Sequence, residues 1–371
     1  MKILHINSYY LAGKFYKHLY DSQVKQSLDV SVYVPVPDNI DCDDRNYGAY
    51  TLISKNHTNY DRFLFSLKHS KILKDIKQKY DIANFDIMHA HSLFSNGFIA
   101  YKLNIKYKVP YIVAVRNTDI NVFFKRIVHL RKLGIKILKN ASGIVFLSES
   151  YKDMTIREYV PDYLKSETLN KSIVLPNGID EFWLKNINSS KKILDKGEVN
   201  IIYAGAIDKN KNLISAVKAI DILIRKGYKI KYTAVGKISN KSVYDCITKY
   251  SFVKYISQQP KEELIKLYRG NDMFVMPSIT ETFGLVYAEA MSQGLPIIYS
   301  KGQGFDRQFD EGLIGYHVDC FNAEEIADKI EVILRNYQLI SQNCIKLCKK
   351  FDWETIAQKY KNIYENIILI R

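Results

Sequence analysis

The chain has 371 residues and a mass of 43.1 kDa, more than one ordinary core of roughly 100 to 200 residues holds, so two similar lobes are expected and a small binding module is excluded. With 47% hydrophobic residues, 25% charged residues and 8 prolines it can bury large cores, which excludes a disordered or low-complexity scaffold. The formal charge of +15 leaves nucleic acid, an anionic membrane surface and a polyanionic substrate open.

In chain order, Lys2 to Ile6 reads as a buried strand, Lys14 to Gln26 as an amphipathic helix and Ser31 to Val36 as a second strand, a βαβ start. A helix from Arg62 to Lys79, a strand at Asp86 to His89, a helix from Ser95 to Lys106 and strands at Tyr111 to Val115 and Gly143 to Leu147 continue the alternation. Such alternation implies a parallel sheet with covered faces. From Pro176 to Lys196 the pattern lapses into a turn-rich polar passage suited to a linker. A second lobe follows, with strands at Val199 to Ala204, Lys229 to Val235, Met273 to Met276 and Pro296 to Tyr299. Its helices run from Leu213 to Arg225, Pro260 to Arg269 and Phe283 to Ser292. The expected fold is α/β, with two Rossmann-like doubly wound lobes over residues 1–180 and 181–353 and ligands in a cleft at the carboxyl ends of the strands. The amphipathic tail over 354–371 is expected to pack back on the first lobe.

Five cysteines, Cys42, Cys246, Cys320, Cys344 and Cys348, do not form a disulfide framework, which points to a reducing compartment. Cys344 and Cys348 share a helix face and read as small buried hydrophobes, since nothing completes a zinc set around them. The N-terminus lacks the apolar core of a signal peptide, and no apolar run reaches the length of a membrane span. The chain is expected in the cytoplasm, with any membrane contact peripheral, at the inner face of the cell membrane.

The most informative stretch is Met276-Pro-Ser-Ile-Thr-Glu-Thr-Phe-Gly-Leu-Val-Tyr-Ala-Glu-Ala-Met-Ser-Gln-Gly-Leu-Pro296. A strand ends at Met276, a polar turn carries Glu281 and Thr282, Gly284 opens a helix, and Gly294 with Pro296 closes it. Unpaired amides at Gly284 and Leu285, at the positive end of the helix dipole, suit a phosphate. Glu281 and Glu289, eight residues apart, offer carboxylates for hydroxyl hydrogens. A nucleotide sugar needs that combination.

The same stretch resembles the Glu-x7-Glu signature of the retaining GT-B glycosyltransferases, in particular family 4. Tyr203-Ala-Gly-Ala-Ile-Asp-Lys-Asn-Lys-Asn-Leu213 is similar to the family's glycine turn, with Gly205 at the turn and Lys211 at the position of the diphosphate-binding lysine. Gly236, Leu175-Pro-Asn-Gly-Ile-Asp180, Met88-His-Ala-His-Ser92 and Phe351-Asp-Trp353 resemble further family segments in the required order. The resemblance implies an enzyme that moves a sugar from a nucleotide sugar, UDP-hexose or UDP-N-acetylhexosamine, to a hydroxyl of a lipid-linked or growing cell-surface polysaccharide such as capsule or O-antigen. It implies no metal and no other cofactor, the nucleotide sugar being co-substrate. The implied donor set is Gly205, Lys211, Gly236, Glu281, Thr282, Phe283, Gly284, Leu285 and Glu289, and the implied catalytic residues are Glu281, Lys211 and Arg116. Gly13, His91, Asn117 and Asp119 fall on the acceptor side.

Three places depart from the family pattern. Ala206 follows Gly205 where many relatives carry arginine; Arg116-Asn117-Thr118-Asp119 stands where His-Gly-Thr-Asp is common; and the first loop offers only Ala12-Gly13-Lys14. The missing arginine and histidine keep open a non-catalytic nucleotide-sugar-binding partner subunit, and a GT-B sugar-nucleotide epimerase is a third reading, which shares the fold but needs no lipid surface. Asp41-Cys42-Asp43 has the Asp-x-Asp spelling of metal-dependent transferases but lies in a turn-rich loop, and His89 with His91 has no completing ligand set. Gly302-Gln303-Gly304 suits either close approach of the donor or an ordinary turn.

Residues 1–180 carry 26 basic and 17 acidic side chains and the remainder 28 and 22, so the positive excess is shared. Its densest run, Lys102 to Lys139, holds ten basic residues against Asp119 alone. Apolar positions from Phe123 to Leu138 recur at helical spacing, so Phe123 to Lys139 reads as one basic amphipathic helix, suited to an anionic membrane or to packing with a solvated lysine face. No nucleic-acid reading module accompanies the charge.

Overall fold

The structure, a computed structural model, describes residues 1–13, 15–40, 46–188, 194 and 197–369. It divides into two units: residues 1–147, 152–176 and 353–371, and residues 148–151 and 177–352. Asp41-Cys42-Asp43, Lys14 and most of the polar stretch before Lys196 lie outside the described residues.

In the first unit β1 (Lys2–Ile6), α1 (Phe15–Lys25), β2 (Asp29–Pro37), β3 (Thr51–His57), α2 (Phe65–Lys79), β4 (Ile87–Ala90), α3 (Ser95–Tyr107) and β5 (Tyr111–Ala114) succeed one another. They are followed by α4 (Arg131–Asn140), β6 (Gly143–Phe146), α5 (Glu149–Tyr159, of which Glu149–Tyr151 count with the second unit), α6 (Asp162–Asn170) and β7 (Ser172–Val174). The seven strands pair in parallel in the order β3-β2-β1-β4-β5-β6-β7. β4, β5 and β6 are buried at every residue, as a sheet covered on both faces requires.

The second unit runs through α7 (Glu181–Lys185), β8 (Val199–Ala204), α8 (Leu213–Arg225), β9 (Ile230–Val235), α9 (Lys241–Ile247), β10 (Val253–Ile256) and α10 (Lys261–Arg269). It continues with β11 (Met273–Val275), α11 (Leu285–Ser292), β12 (Ile297–Ser300), β13 (Gly315–Val318), α12 (Ala323–Arg335) and α13 (Tyr337–Leu347). Its six parallel strands are ordered β10-β9-β8-β11-β12-β13. Leu213, Ala216, Val217, Ile220 and Leu223 place α8 against this sheet at helical spacing.

The last helix, α14 (Trp353–Leu369), packs on the first unit. Trp353, Ile356, Tyr360 and Tyr364 are buried with Ile3, Leu19, Val30 and Ile112 in one core cluster. The amide of Gln23 donates to the Tyr364 hydroxyl at 3.1 Å, and that hydroxyl lies 2.8 Å from His89 Nδ1.

The structure departs from the sequence expectation in two ways. β3, β7, β10 and β13, which periodicity does not show, are the outer strands of the two sheets, half-covered and without continuous apolar runs. The basic helix expected over Phe123 to Lys139 is a correction: it is broken into a π-helical turn at Asp119–Phe124, a 3-10 turn at Val128–Leu130 and α4. Aromatic packing imposes the break. Phe124 is buried and stacks on Tyr159 at 4.8 Å, and the half-buried Phe123 stacks on Phe94 at 4.6 Å, so both rings pack within the unit. Cys344 and Cys348 are fully buried thiols. Among the described residues no helix is long and apolar enough to cross a membrane.

Candidate functional site

At the carboxyl edge of the second sheet three loops meet, and side-chain amides bind them together. After β8 the backbone turns at Gly205, and after β9 it turns at Gly236, whose φ is +151°. The two turns touch: a Cβ on Gly236 would sit 1.8 Å from the Gly205 carbonyl oxygen, so only glycine fits. The loop from Asp208 to Asn212 is then fastened to the loop after β11. Asn210 donates through Nδ2 to the Thr280 carbonyl at 2.8 Å and accepts the Thr280 amide at 3.1 Å. Asp208 accepts the Lys211 amide at 2.9 Å. This lacing brings Lys211 Nζ to 2.6 Å from Glu281 Oε2, an ion pair whose side chains are 22% and 13% exposed. Residues 70 apart in sequence thus form one charged centre.

Glu281 is held by its backbone as well. Its amide donates to Gln303 Oε1 at 2.9 Å, its carbonyl accepts the Gly304 amide at 2.8 Å, and the Tyr151 hydroxyl donates to the same carbonyl at 3.1 Å. Asp306 anchors the glycine loop by accepting the Gly302 amide at 2.7 Å, and His317 Nδ1 backs Asp306 at 2.9 Å. Nothing in the sequence pointed to Tyr151, Asp306 and His317; for Gln303 the Gly302-Gln303-Gly304 spelling was the signal.

Gly284, in the left-handed region, caps α11, so Thr282, Phe283, Gly284 and Leu285 form the turn that opens the helix. No hydrogen bond involves the amides of Gly284 and Leu285 among the described residues. They join the Lys211 ammonium as positive groups at one end of a helix.

Glu289 sits on α11 in other surroundings. Part of its side chain is exposed, yet its carboxyl is enclosed beside Trp183, which hydrogen-bonds to it, with Asp180 and Lys261 nearby. Burial raises its pKa to about 7, Asp180 adds to the rise, and Lys261 and the Trp183 hydrogen bond oppose it. Asp180 caps α7 by accepting the Phe182 amide at 2.9 Å and pairs with Lys261 Nζ at 2.7 Å.

In the first unit the acceptor-side residues divide. Gly13 ends a 3-10 turn in open space, with Arg116 and Asn117 partly exposed on the turn after β5. His91 and Asp119 are interior, contrary to a ligand-lining position. The His91 ring is fully buried, stacked on His89 at 4.0 Å, with Nε2 3.0 Å from His5 Nδ1. Asp119 accepts the amides of Leu93 at 2.9 Å, Phe94 at 3.0 Å and Arg116 at 2.9 Å, tying the β4 loop to the β5 loop. Its burial raises its pKa to about 6, against the pull of those amides. Arg116 Nε donates to the His91 carbonyl at 3.3 Å.

His5, His89 and His91 bring ring nitrogens within 4.8 Å of one another, a cluster the sequence did not reveal because His5 lies on β1. His5 Nδ1 and His91 Nε2 lie 3.0 Å apart, and the His89 and His91 rings stack at 4.0 Å.

Comparison with known proteins agrees with this architecture. Residues 12–181 match the family model described as Glycosyltransferase Family 4, and residues 185–352 match Glycosyl transferases group 1. An uncharacterized glycosyltransferase of Methanocaldococcus jannaschii is 24% identical, over 99% of this chain and 99% of its own length. A capsular polysaccharide biosynthesis glycosyltransferase of Staphylococcus aureus, CapM, is 27% identical over 62% of each chain. The solved structure of Anabaena HepE in complex with UDP and glucose shares the fold with a TM-score of 0.67 and 14% identity, covering 98% of both chains. Two glycosyltransferase domain models spanning nearly the whole chain, on two parallel Rossmann-like units, show that the chain belongs to the GT-B glycosyltransferases.

Proposed function

We propose that the chain is a retaining, metal-independent hexosyltransferase that takes its sugar from a UDP-linked donor. The observation that carries this reading is the Lys211–Glu281 pair beside the uncapped amides of α11. A diphosphate at this helix end meets the Lys211 ammonium and the Gly284 and Leu285 amides, which stabilise the charge that develops as the sugar leaves. Glu281 contacts the donor sugar, Glu289 accepts ribose hydroxyl hydrogens, and the glycine turns at Gly205 and Gly236 let the donor approach the backbone. The acceptor oxygen attacks the anomeric carbon from the face the diphosphate leaves. The carbon–phosphate-oxygen bond breaks as the new C–O bond forms, and the departing diphosphate oxygen takes the acceptor proton. We assign Arg116 to the acceptor, since its planar fork suits a phosphate or a sugar hydroxyl. HepE was solved with UDP and glucose, which supports the donor class.

The acceptor is a lipid-linked or growing cell-surface polysaccharide, a reading supported by the similarity to CapM. Lys125, Arg126, Lys132, Lys136 and Lys139 are exposed, which supports peripheral contact with an anionic membrane at the inner face. Incubating the full chain with UDP-hexoses and polyprenyl-linked glycans should yield UDP and an elongated glycan with the donor's anomeric configuration. Donor binding without transfer to any acceptor would favour a partner subunit instead, and an altered free nucleotide sugar without acceptor would favour an epimerase.

The raised pKa of Glu289 has a testable sign. A carboxyl with a folded pKa near 7, above its ordinary 4.5, contributes stability that is complete below about 4.5 and is lost as pH rises to about 7. Its ionised form is the better acceptor for ribose. UDP affinity should therefore rise as pH passes about 7 while the thermal midpoint falls over pH 4.5 to 7, and Glu289→Gln should flatten both profiles.

A further inference from the structure

A cavity of about 290 Å³ opens at the carboxyl edge of the first sheet. It is lined by Ser8 after β1, Pro37 ending β2, His57 ending β3, Thr58, Lys68 on α2 and Ser95 opening α3. None of these residues belongs to the donor site or to the acceptor-side set already described.

Two of its groups have complementary chemistry. The Lys68 side chain is partly buried, and it makes no ion pair among the described residues. The acid that acts on it through space, Asp61, is held by Lys71 at 2.7 Å and by the Thr58 amide at 2.7 Å. Burial alone pulls the Lys68 pKa down, as expected of a cation short of a counter-ion. The second group is His57, 5% exposed, whose Nδ1 lies 2.7 Å from Asn56 Oδ1. The Asn56 amide nitrogen is committed to the Tyr33 hydroxyl at 2.8 Å and Asp75 at 3.2 Å, so its oxygen faces the ring. His57 Nδ1 therefore carries the hydrogen and Nε2 is an acceptor. Burial, reinforced by the Lys68 charge, lowers the His57 pKa to about 4, so the ring is neutral near pH 7. Ser8 and Ser95 complete the polar lining of the same cavity, while the Thr58 side chain is engaged with Asp61.

A fixed positive charge wants an anionic oxygen, and a neutral imidazole nitrogen wants a hydroxyl hydrogen. A sugar phosphate supplies both. We propose that this cavity is an acceptor subsite for a phosphorylated sugar, with Lys68 holding the phosphate and His57 Nε2 accepting a sugar hydroxyl. The term acceptor rests on the transferase reading; the binding itself does not. The adjoining turn exposes Tyr60 and Phe63, 83% and 73% accessible, so the phosphate can be that of a free sugar phosphate or of a lipid headgroup whose chain meets these side chains.

The test is equilibrium binding to the full chain, with UDP present to occupy the donor site. Hexose 1-phosphate should bind about tenfold or more tightly than the uncharged methyl hexoside. Lys68→Met should erase that difference, Lys68→Arg should keep most of it, and UDP binding should be unchanged in both variants. Equal affinity for the two probes, or an unchanged preference in Lys68→Met, overturns the proposal. Failure of the transferase reading would show separately, as absent UDP binding with hexose 1-phosphate binding intact. A hexose phosphate carrying a farnesyl chain, in detergent micelles, separates the sources. Tighter binding that weakens in Phe63→Ser assigns the lipid headgroup, and binding equal to hexose 1-phosphate assigns the free sugar phosphate; either result upholds the subsite.

Discussion

Replacing Lys211 with alanine is expected to lower turnover about 10²–10³-fold, the cost of removing one preorganised group that meets developing charge. Lys211 Nζ lies 2.6 Å from Glu281 Oε2, and the loop that carries it is fixed by Asp208 and Asn210. The variant also strips Glu281 of its counter-ion, leaving its Oε1 on the Thr282 amide at 3.1 Å. Glu281→Ala should lose activity similarly. Because the two side chains act on each other, the double variant should be little worse than the poorer single one, with a coupling of about 0.5–3 kcal/mol in a stability cycle. Steady-state rates on samples with unchanged circular dichroism decide it, and near-normal rates in both single variants would sink the assignment.

Gly304→Ala should act on the same centre from the backbone side. A Cβ there would lie 1.8 Å from the Thr282 carbonyl oxygen and 2.7 Å from the Phe283 amide nitrogen, distances that backbone atoms cannot accommodate without moving. The Gly304 amide also holds the Glu281 carbonyl at 2.8 Å, so the turn from Glu281 to Gly284 must shift. The expected cost in urea unfolding is about 1–3 kcal/mol. UDP affinity should fall about tenfold or more, as when a charge-assisted hydrogen bond is lost. A variant with wild-type stability and wild-type affinity would show that the two loops are not mechanically joined.

Much of the candidate site was legible because its residues are local: strand end, polar turn, glycine and helix follow one another from Met276 to Ser292. The alternation of strands and helices also gave both sheets apart from their outer strands, which lack continuous apolar runs. Contacts made across the fold were not legible. Gln303 and Tyr151 reach the Glu281 backbone from 22 and 130 residues away, and Asp180, Trp183 and Lys261 surround Glu289 from separate elements. Nor does helical spacing reveal that Phe123 and Phe124 pack on Phe94 and Tyr159 and break the basic helix. Asp119 shows the same limit: its position in a motif suggested a ligand contact, whereas its carboxylate is spent on three backbone amides.

The most direct test of the account is calorimetric titration of UDP into the full chain with a chelator present. If Lys211 and the α11 amides hold the diphosphate, one site should saturate without added metal and weaken about tenfold or more in Lys211→Ala. Binding that requires a divalent ion, or that is undiminished in Lys211→Ala, would contradict it.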